Sequence, residues 1–311
     1  MLSRRTLLAA ALVLAATPGF AQTNEKLPVV ASFSILGDFV KNVGGDRVAV
    51  TTIVGPNGDS HVYQPTPADA KKIAAAKLVF VNGLGFEGWM DRLVKASGTK
   101  ASVVVATKGV TPRERTADEP QEDEDKPAKG HAHAHGAIDP HAWQSIANAK
   151  VYVGNIRDAL IAADPAGKAE YTANADAYLA KLTALEADVK ATVAAIPADR
   201  RLIITSHDAF GYFGDAYGLK LLAPEGVSTE TEASAKDVGR IIRQIKAQKV
   251  PAVFLENVTN PRLVDRIAKE SGAKVGGTLY SDALSDDKGG APTYIDMVRS
   301  NLKELSSALT S

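Results

Sequence analysis

Between Asp164-Pro165 and Pro197 one apolar stripe runs without a break. Tyr171, Tyr178, Leu182, Leu185, Val189 and Val193 recur at spacings of three, four and seven residues, the repeat of one face of an α-helix. Asp164-Pro165 offers a cap and a first-turn proline, and Pro197 a stop. A helix over 165–196 is expected, and roughly thirty residues at about 1.5 Å each span about 45 Å. That exceeds the width of one small domain, so the helix is expected to run along two lobes and tie them together.

The flanking segments support two lobes. On the N-terminal side, β-branched runs predict strands over Val29–Phe33, Val48–Val54, Leu78–Val81 and Ser102–Ala106. Thr66-Pro67-Ala68-Asp69 opens a helix through Ala76 with a cap, a first-turn proline and an early acid. A second helix is expected from Ser145 to Ala163. On the C-terminal side, strands are expected over Leu202–Thr205, Lys220–Leu222, Ala252–Glu256 and Val275–Tyr280, with helices at Ser234–Gln248, Pro261–Ser271 and Thr293–Leu309. Strands alternating with helices indicate parallel sheet covered on both faces. The expected organisation is a leader over 1–21, an N-terminal lobe over 22–164, the linking helix over 165–196 and a C-terminal lobe over 197–311.

The leader reads as a secretory signal: Arg4 and Arg5, an apolar run from Leu7 to Ala16, then the small-residue end Gly19-Phe20-Ala21. About ten apolar residues are too few to span a bilayer. Ser3-Arg4-Arg5-Thr6-Leu7-Leu8 also fits a twin-arginine signal, so Sec and Tat export both stay open. Lys+Arg and Asp+Glu balance at 36 each, and cutting after Ala21 leaves a net −2. There is no basic excess of the kind nucleic acid attracts. The chain has no cysteine, which excludes disulfides and a lipobox. The expectation is a soluble periplasmic monomer without a membrane anchor.

Residues 112–137, PRERTADEPQEDEDKPAKGHAHAHGA, carry almost no large apolar side chain. Such a stretch buries too little surface to offset its ordering entropy, so a mobile loop is expected. His131, His133 and His135 alternate with alanine inside it, downstream of the acidic run Glu122–Asp125. They are expected to form a weak, unselective capture site for cations, the alternative being a solubilising segment.

His61, His141 and His207 differ from these by position. His61 follows the strand ending near Val54, His207 lies just past Leu202–Thr205, Asp282 lies just past Val275–Tyr280, and His141 opens the helix after the loop. Ligands of open α/β sheets bind beyond the carboxyl ends of strands. Two of these residues come from each lobe, so a cleft between lobes can gather all four. Three imidazoles and a carboxylate make a complete four-coordinate set for zinc. Each ligating imidazole should also give its other N–H to a carboxylate or carbonyl, and Asp139, Asp208 and Glu256 are the candidates.

Five blocks in this order resemble the metal-binding (cluster A-I, ZnuA/TroA-type) periplasmic solute-binding proteins of zinc ABC transporters. They are Ser60-His61-Val62-Tyr63-Gln64-Pro65-Thr66-Pro67, Val81-Asn82-Gly83-Leu84-Gly85-Phe86-Glu87, Asp139-Pro140-His141-Ala142-Trp143, Ser206-His207-Asp208-Ala209-Phe210 and Tyr280-Ser281-Asp282-Ala283-Leu284. The resemblance covers essentially the whole chain after the leader. It implies an α/β fold of two Rossmann-like lobes with small parallel sheets joined by one long α-helix, with a metal held in the interlobe cleft by His61, His141, His207 and Asp282. It also implies capture of Zn2+ and delivery to an ABC-transporter permease, with a periplasmic zinc donor as a further partner. Manganese-selective relatives carry a carboxylate at the third ligand position, where this chain has His207, and imidazole favours zinc over manganese. Two features depart from the pattern. The lipobox cysteine of many relatives is absent, and Ser60 stands where an acidic residue or proline often precedes the first histidine.

Other functions use similar ligands. A zinc or manganese buffer or metallochaperone, or an adhesin, would share the site without a permease. Superoxide dismutases also use three histidines and an aspartate, but their ligands sit on helices. Hydrolytic zinc sites keep an open coordination position, and no HExxH, GxSxG or GxxxxGK[ST] motif occurs. A non-enzymatic carrier is expected.

Overall fold

The structure is a computed structural model that describes residues 25–114 and 138–310. The expected leader and the histidines His131, His133 and His135 lie outside these residues. The first lobe begins with β1 (Leu27–Phe33), which runs directly into α1 (Ser34–Gly44), and continues through β2 (Val48–Val54), α2 (Pro67–Ala75), β3 (Leu78–Val81), α3 (Met90–Ser97) and β4 (Ser102–Val105). Its four strands are all parallel, in the order β2-β1-β3-β4. Short strands β5 (Arg113–Glu114) and β6 (Ile138–Asp139) then pair antiparallel, before α4 (Ile146–Ala163).

The linking helix α5 (Lys168–Ala195) follows a single 3-10 turn at Pro165–Gly167. It buries the expected stripe of Tyr171, Tyr178, Leu182, Leu185, Val189 and Val193, with Ala175 added. The second lobe comprises β7 (Leu202–Ile204), α6 (Gly211–Tyr217), β8 (Lys220–Leu222), α7 (Ala235–Gln248), β9 (Ala252–Glu256), α8 (Pro261–Ser271), β10 (Lys274–Leu279) and α9 (Tyr294–Thr310). Its sheet is again parallel, in the order β10-β9-β7-β8. The fold class is the expected one: two small parallel sheets joined by a long helix.

Local chemistry sets many of the boundaries. Thr66 and Asp69 form a reciprocal capping box with Pro67 in the first turn of α2. Ser234 caps α7 through the Asp237 N–H. Asn260 caps α8, with Pro261 behind it and Gly272 ending the helix in the left-handed conformation. Three helices were not anticipated: α1, α3 and α6. None has a side-chain cap at its start, so the usual punctuation is missing.

One apolar core spans much of the molecule. It joins Phe33, Phe39 and Phe80 of the first lobe to Leu182 and Val189 of α5, and on to Leu279, Tyr294 and Leu305 of the second. A smaller core, including Ile204, Ile241, Val253 and Ile267, lies wholly in the second lobe. The shared core holds the lobes against a common spine. No helix among the described residues is long and apolar enough to cross a membrane.

Candidate metal centre

His61, His141, His207 and Asp282 converge from loops at the carboxyl side of the sheets. All four are buried, and one donor atom from each lies within 4.8 Å of the others. His61 Nε2 is 3.3 Å from His141 Nε2 and 3.2 Å from Asp282 Oδ2. His207 Nε2 is 3.1 Å from the same Oδ2, and His141 Nε2 is 3.5 Å from Oδ1. Asp282 is thus the hub, with an imidazole on each of three sides.

Each ligand candidate is held from behind. Asp139 Oδ1 accepts the backbone N–H of His141 at 2.9 Å and lies 2.8 Å from its ring Nδ1. Pro140 O accepts from Asn82 Nδ2, whose own Oδ1 accepts the Tyr152 hydroxyl. Glu256 Oε1 takes the N–H groups of Ser206 and His207 at 2.8 and 2.9 Å, while Oε2 meets His207 Nδ1 at 2.6 Å. Of the three carboxylates expected behind the rings, Asp139 lies behind His141 and Glu256 behind His207. Both ring nitrogens of His207 face carboxylates, those of Asp282 and Glu256. The Asp208 side chain is buried, and its N–H donates to Gly226 O.

The segment around His61 is fixed by residues the sequence reading missed. Asp59 Oδ1 accepts the His61 N–H at 2.9 Å, and Trp89 Nε1 donates to Ser60 O at 2.8 Å. The spacing Asp59-Ser60-His61 repeats that of Asp139-Pro140-His141, a signal that could have found Asp59. Gly83, Leu84 and Gly85 all have φ near +55° to +87°, a turn in which a side chain at 84 is strained. That turn seats Phe86 with its ring 4.8 Å from His61 and 5.9 Å from His141. Burial pushes the Glu87 carboxyl up even though Ser32 Oγ and the N–H groups of Asn82 and Gly83 donate to it.

Several contacts cross between the lobes at the site. Trp143 Nε1 and Gln144 Nε2 both donate to Ser281 O, at 3.0 and 2.8 Å, so the segment carrying His141 also holds the Asp282 loop. Thr229 Oγ1 donates to Asp59 Oδ2 at 2.7 Å, and Asn57 N–H to Leu284 O at 2.8 Å. A cavity of about 700 Å³ opens beside His61, walled by Tyr63, Phe86, Trp89 and Pro140 from one side and Val227 and Glu230 from the other.

The electrostatics follow from one buried carboxylate among imidazoles. Burial opposes charge on His141, but Asp282 and Asp139 outweigh it and raise its pKa to about 9. Burial also opposes the charged form of His207, yet Glu256 and Asp282 hold it well above the ordinary histidine value. Asp282 is held well below the usual carboxylate range, because His141 and His207 overcome its desolvation. Such a cluster can be neutralised by protons on the rings or by a cation between them. Asp282 Oδ1 is buried with no hydrogen-bond donor, an acceptor suited to a cation.

Two parallel-sheet lobes on a helical spine, with a buried His3Asp cluster between them, define a solute-binding protein for a metal ion. The chain belongs to the ZnuA family, described as Zinc-uptake complex component A periplasmic, whose model matches residues 29–308. It is 36% identical to the Manganese-binding lipoprotein MntA of Halalkalibacterium halodurans over 293 residues, 94% of this chain and 91% of that one. It is 36% identical to the Iron-binding protein YfeA of Yersinia pestis over 276 residues, 89% and 84% of the two chains. The zinc-binding protein TroA of Treponema pallidum superposes with a TM-score of 0.81 at 29% identity, covering 92% of this chain and 99% of the other. Membership makes the chain a metal-binding, solute-binding component of an ABC transporter, a class that works with a membrane permease and is not enzymatic.

One expectation is corrected by these relatives. A leader and the absence of cysteine suggested an unanchored periplasmic protein. MntA and several streptococcal relatives, however, are named lipoproteins, so that location is withdrawn. The cysteine count bears on a single attachment chemistry, a lipid joined through sulfur, and does not locate a protein.

Proposed function

We propose that His61, His141, His207 and Asp282 bind a single Zn2+ as cargo, which the protein captures and delivers to its permease. One observation carries this: three imidazole nitrogens and one carboxylate, all on buried residues, meet with neighbouring donors 3.1–3.5 Å apart. A tetrahedron with bonds of about 2.0–2.1 Å has edges of about 3.3–3.4 Å. Relatives are named for manganese, iron and zinc, so their names leave the ion open, and it is the donor set that supports zinc. Three nitrogens favour zinc over manganese, which prefers oxygen-rich sets. Four protein ligands leave no vacant position for a reacting water, which suits capture. The cavity beside His61 is the route by which the ion enters.

The test is competition between zinc and manganese for the purified protein and for His207→Glu, followed by metal analysis. Zinc preference in the wild type, with a shift toward manganese in the variant, is expected. Manganese preference in the wild type would sink the zinc assignment.

A further inference from the structure

Arg113 stands on the short strand β5, directly opposite Asp139 in the antiparallel pair with β6. Its Nη1 is 3.4 Å from Asp139 Oδ2, the oxygen that does not face His141. Asp139 is fully buried and the Arg113 side chain is only 12% exposed. The Arg113 Nε donates to Asp215 Oδ2 at 2.9 Å, and its backbone N–H donates to the Tyr212 hydroxyl at 2.8 Å. Both of those partners lie on α6, in the other lobe.

We infer that Arg113 is a positioning residue for the His141 ligand, acting through Asp139 and bracing that ligand against the opposite lobe. A carboxylate buried between an imidazole and a guanidinium has both oxygens engaged, which fixes its orientation and so the plane of the ring it holds. Arginine suits this place because its rigid fork serves two carboxylates at once, as a lysine ammonium on a flexible stem does not. Gly211, the first residue of α6, shows how tight the arrangement is. A Cβ there would lie 2.5 Å from Arg113 Cζ and Nη1 and from Asp139 Oδ2. The start of α6, four residues after His207, therefore closes directly over the Arg113–Asp139 pair. One guanidinium thus links the surroundings of His141 to the helix that follows His207.

This inference rests on His141 being a metal ligand, and the experiment separates the two claims. Zinc affinity, by chelator competition, and the zinc release rate are measured for wild type, His141→Ala, Arg113→Met, Arg113→Lys, Asp139→Asn and the Arg113→Met/Asp139→Asn double variant. Melting of each metal-free protein reports folding. Loss of a group behind a ligand typically costs about 10–100-fold in affinity. Arg113→Met is expected to weaken zinc about tenfold with faster release. Arg113→Lys should recover part of that loss, and Arg113→Met should add nothing once Asp139 is Asn. Should Arg113→Met fail to fold, Arg113→Lys, which keeps the charge but not the fork, carries the test and is expected to show a smaller loss, wild-type affinity in it overturning the role of Arg113. Wild-type affinity in Arg113→Met, or an undiminished effect in the Asp139→Asn background, overturns the role of Arg113 alone. Unchanged binding in His141→Ala overturns the metal site and this inference together.

Discussion

His141 and His207 each turn one ring nitrogen toward Asp282 and the other toward a second carboxylate, Asp139 or Glu256. Such partners set ring orientation and ligand basicity, so Glu256→Gln is expected to lower zinc affinity about 10–100-fold, measured by chelator competition. The effect of pH follows from His141. Its folded pKa of about 9 lies above the unfolded value of about 6.5, so its contribution to metal-free stability is complete below about 6.5 and is lost as pH rises through 9. The melting temperature of metal-free protein is therefore expected to fall between pH 7 and 9.5. Zinc affinity should rise over the same interval, because coordination needs the neutral ring. The four ligand candidates were legible one by one, His61, His207 and Asp282 from their places after strands and His141 from its place at the start of the helix after the loop. Trp89, Arg113 and Gln144 were not, because each reaches the site through a contact distant in sequence.

Helix α5 has its apolar stripe in register with the sequence periodicity because one face packs along both lobes. Leu182 lies fully buried at its middle, so Leu182→Ala is expected to cost about 2–5 kcal/mol, read from chemical denaturation of the metal-free protein. At the same scale, deleting residues 119–136 should leave cleft affinity unchanged while removing zinc bound beyond one equivalent, measured by calorimetry; equal stoichiometry would discard a capture role for His131, His133 and His135. Strands and long helices were legible because each carries its own period and caps. Helix α1 was not, since it continues from β1 without a turn signal and takes its stability from packing on β1, β2 and α5. Propensity is a weak guide where tertiary burial decides.

The two lobes share an apolar core and a continuous helix, and hydrogen bonds cross between them at Thr229–Asp59, Asn57–Leu284, Trp143–Ser281 and Leu284–Ser34. A wide hinge motion would have to break all of these together, so metal exchange should proceed by small lobe movements or by rearrangement of the loops beside His61. Solution scattering of metal-free and zinc-loaded protein is expected to give nearly equal radii of gyration. A large difference would show that the spine bends.

The sequence by itself determined the α/β class, the two lobes, the connecting helix and the four residues able to hold a metal. Periodicity, caps and strand-end positions are local properties, and they survive in a linear chain. Tertiary structure alone decided that Asp282 is the hub, that Asp139 stands behind His141 and Glu256 behind His207, and that Arg113 joins His141 to the far lobe. Those pairings join residues as far apart in the chain as His61 and Asp282. They arise from packing two sheets against one spine, which no local pattern encodes.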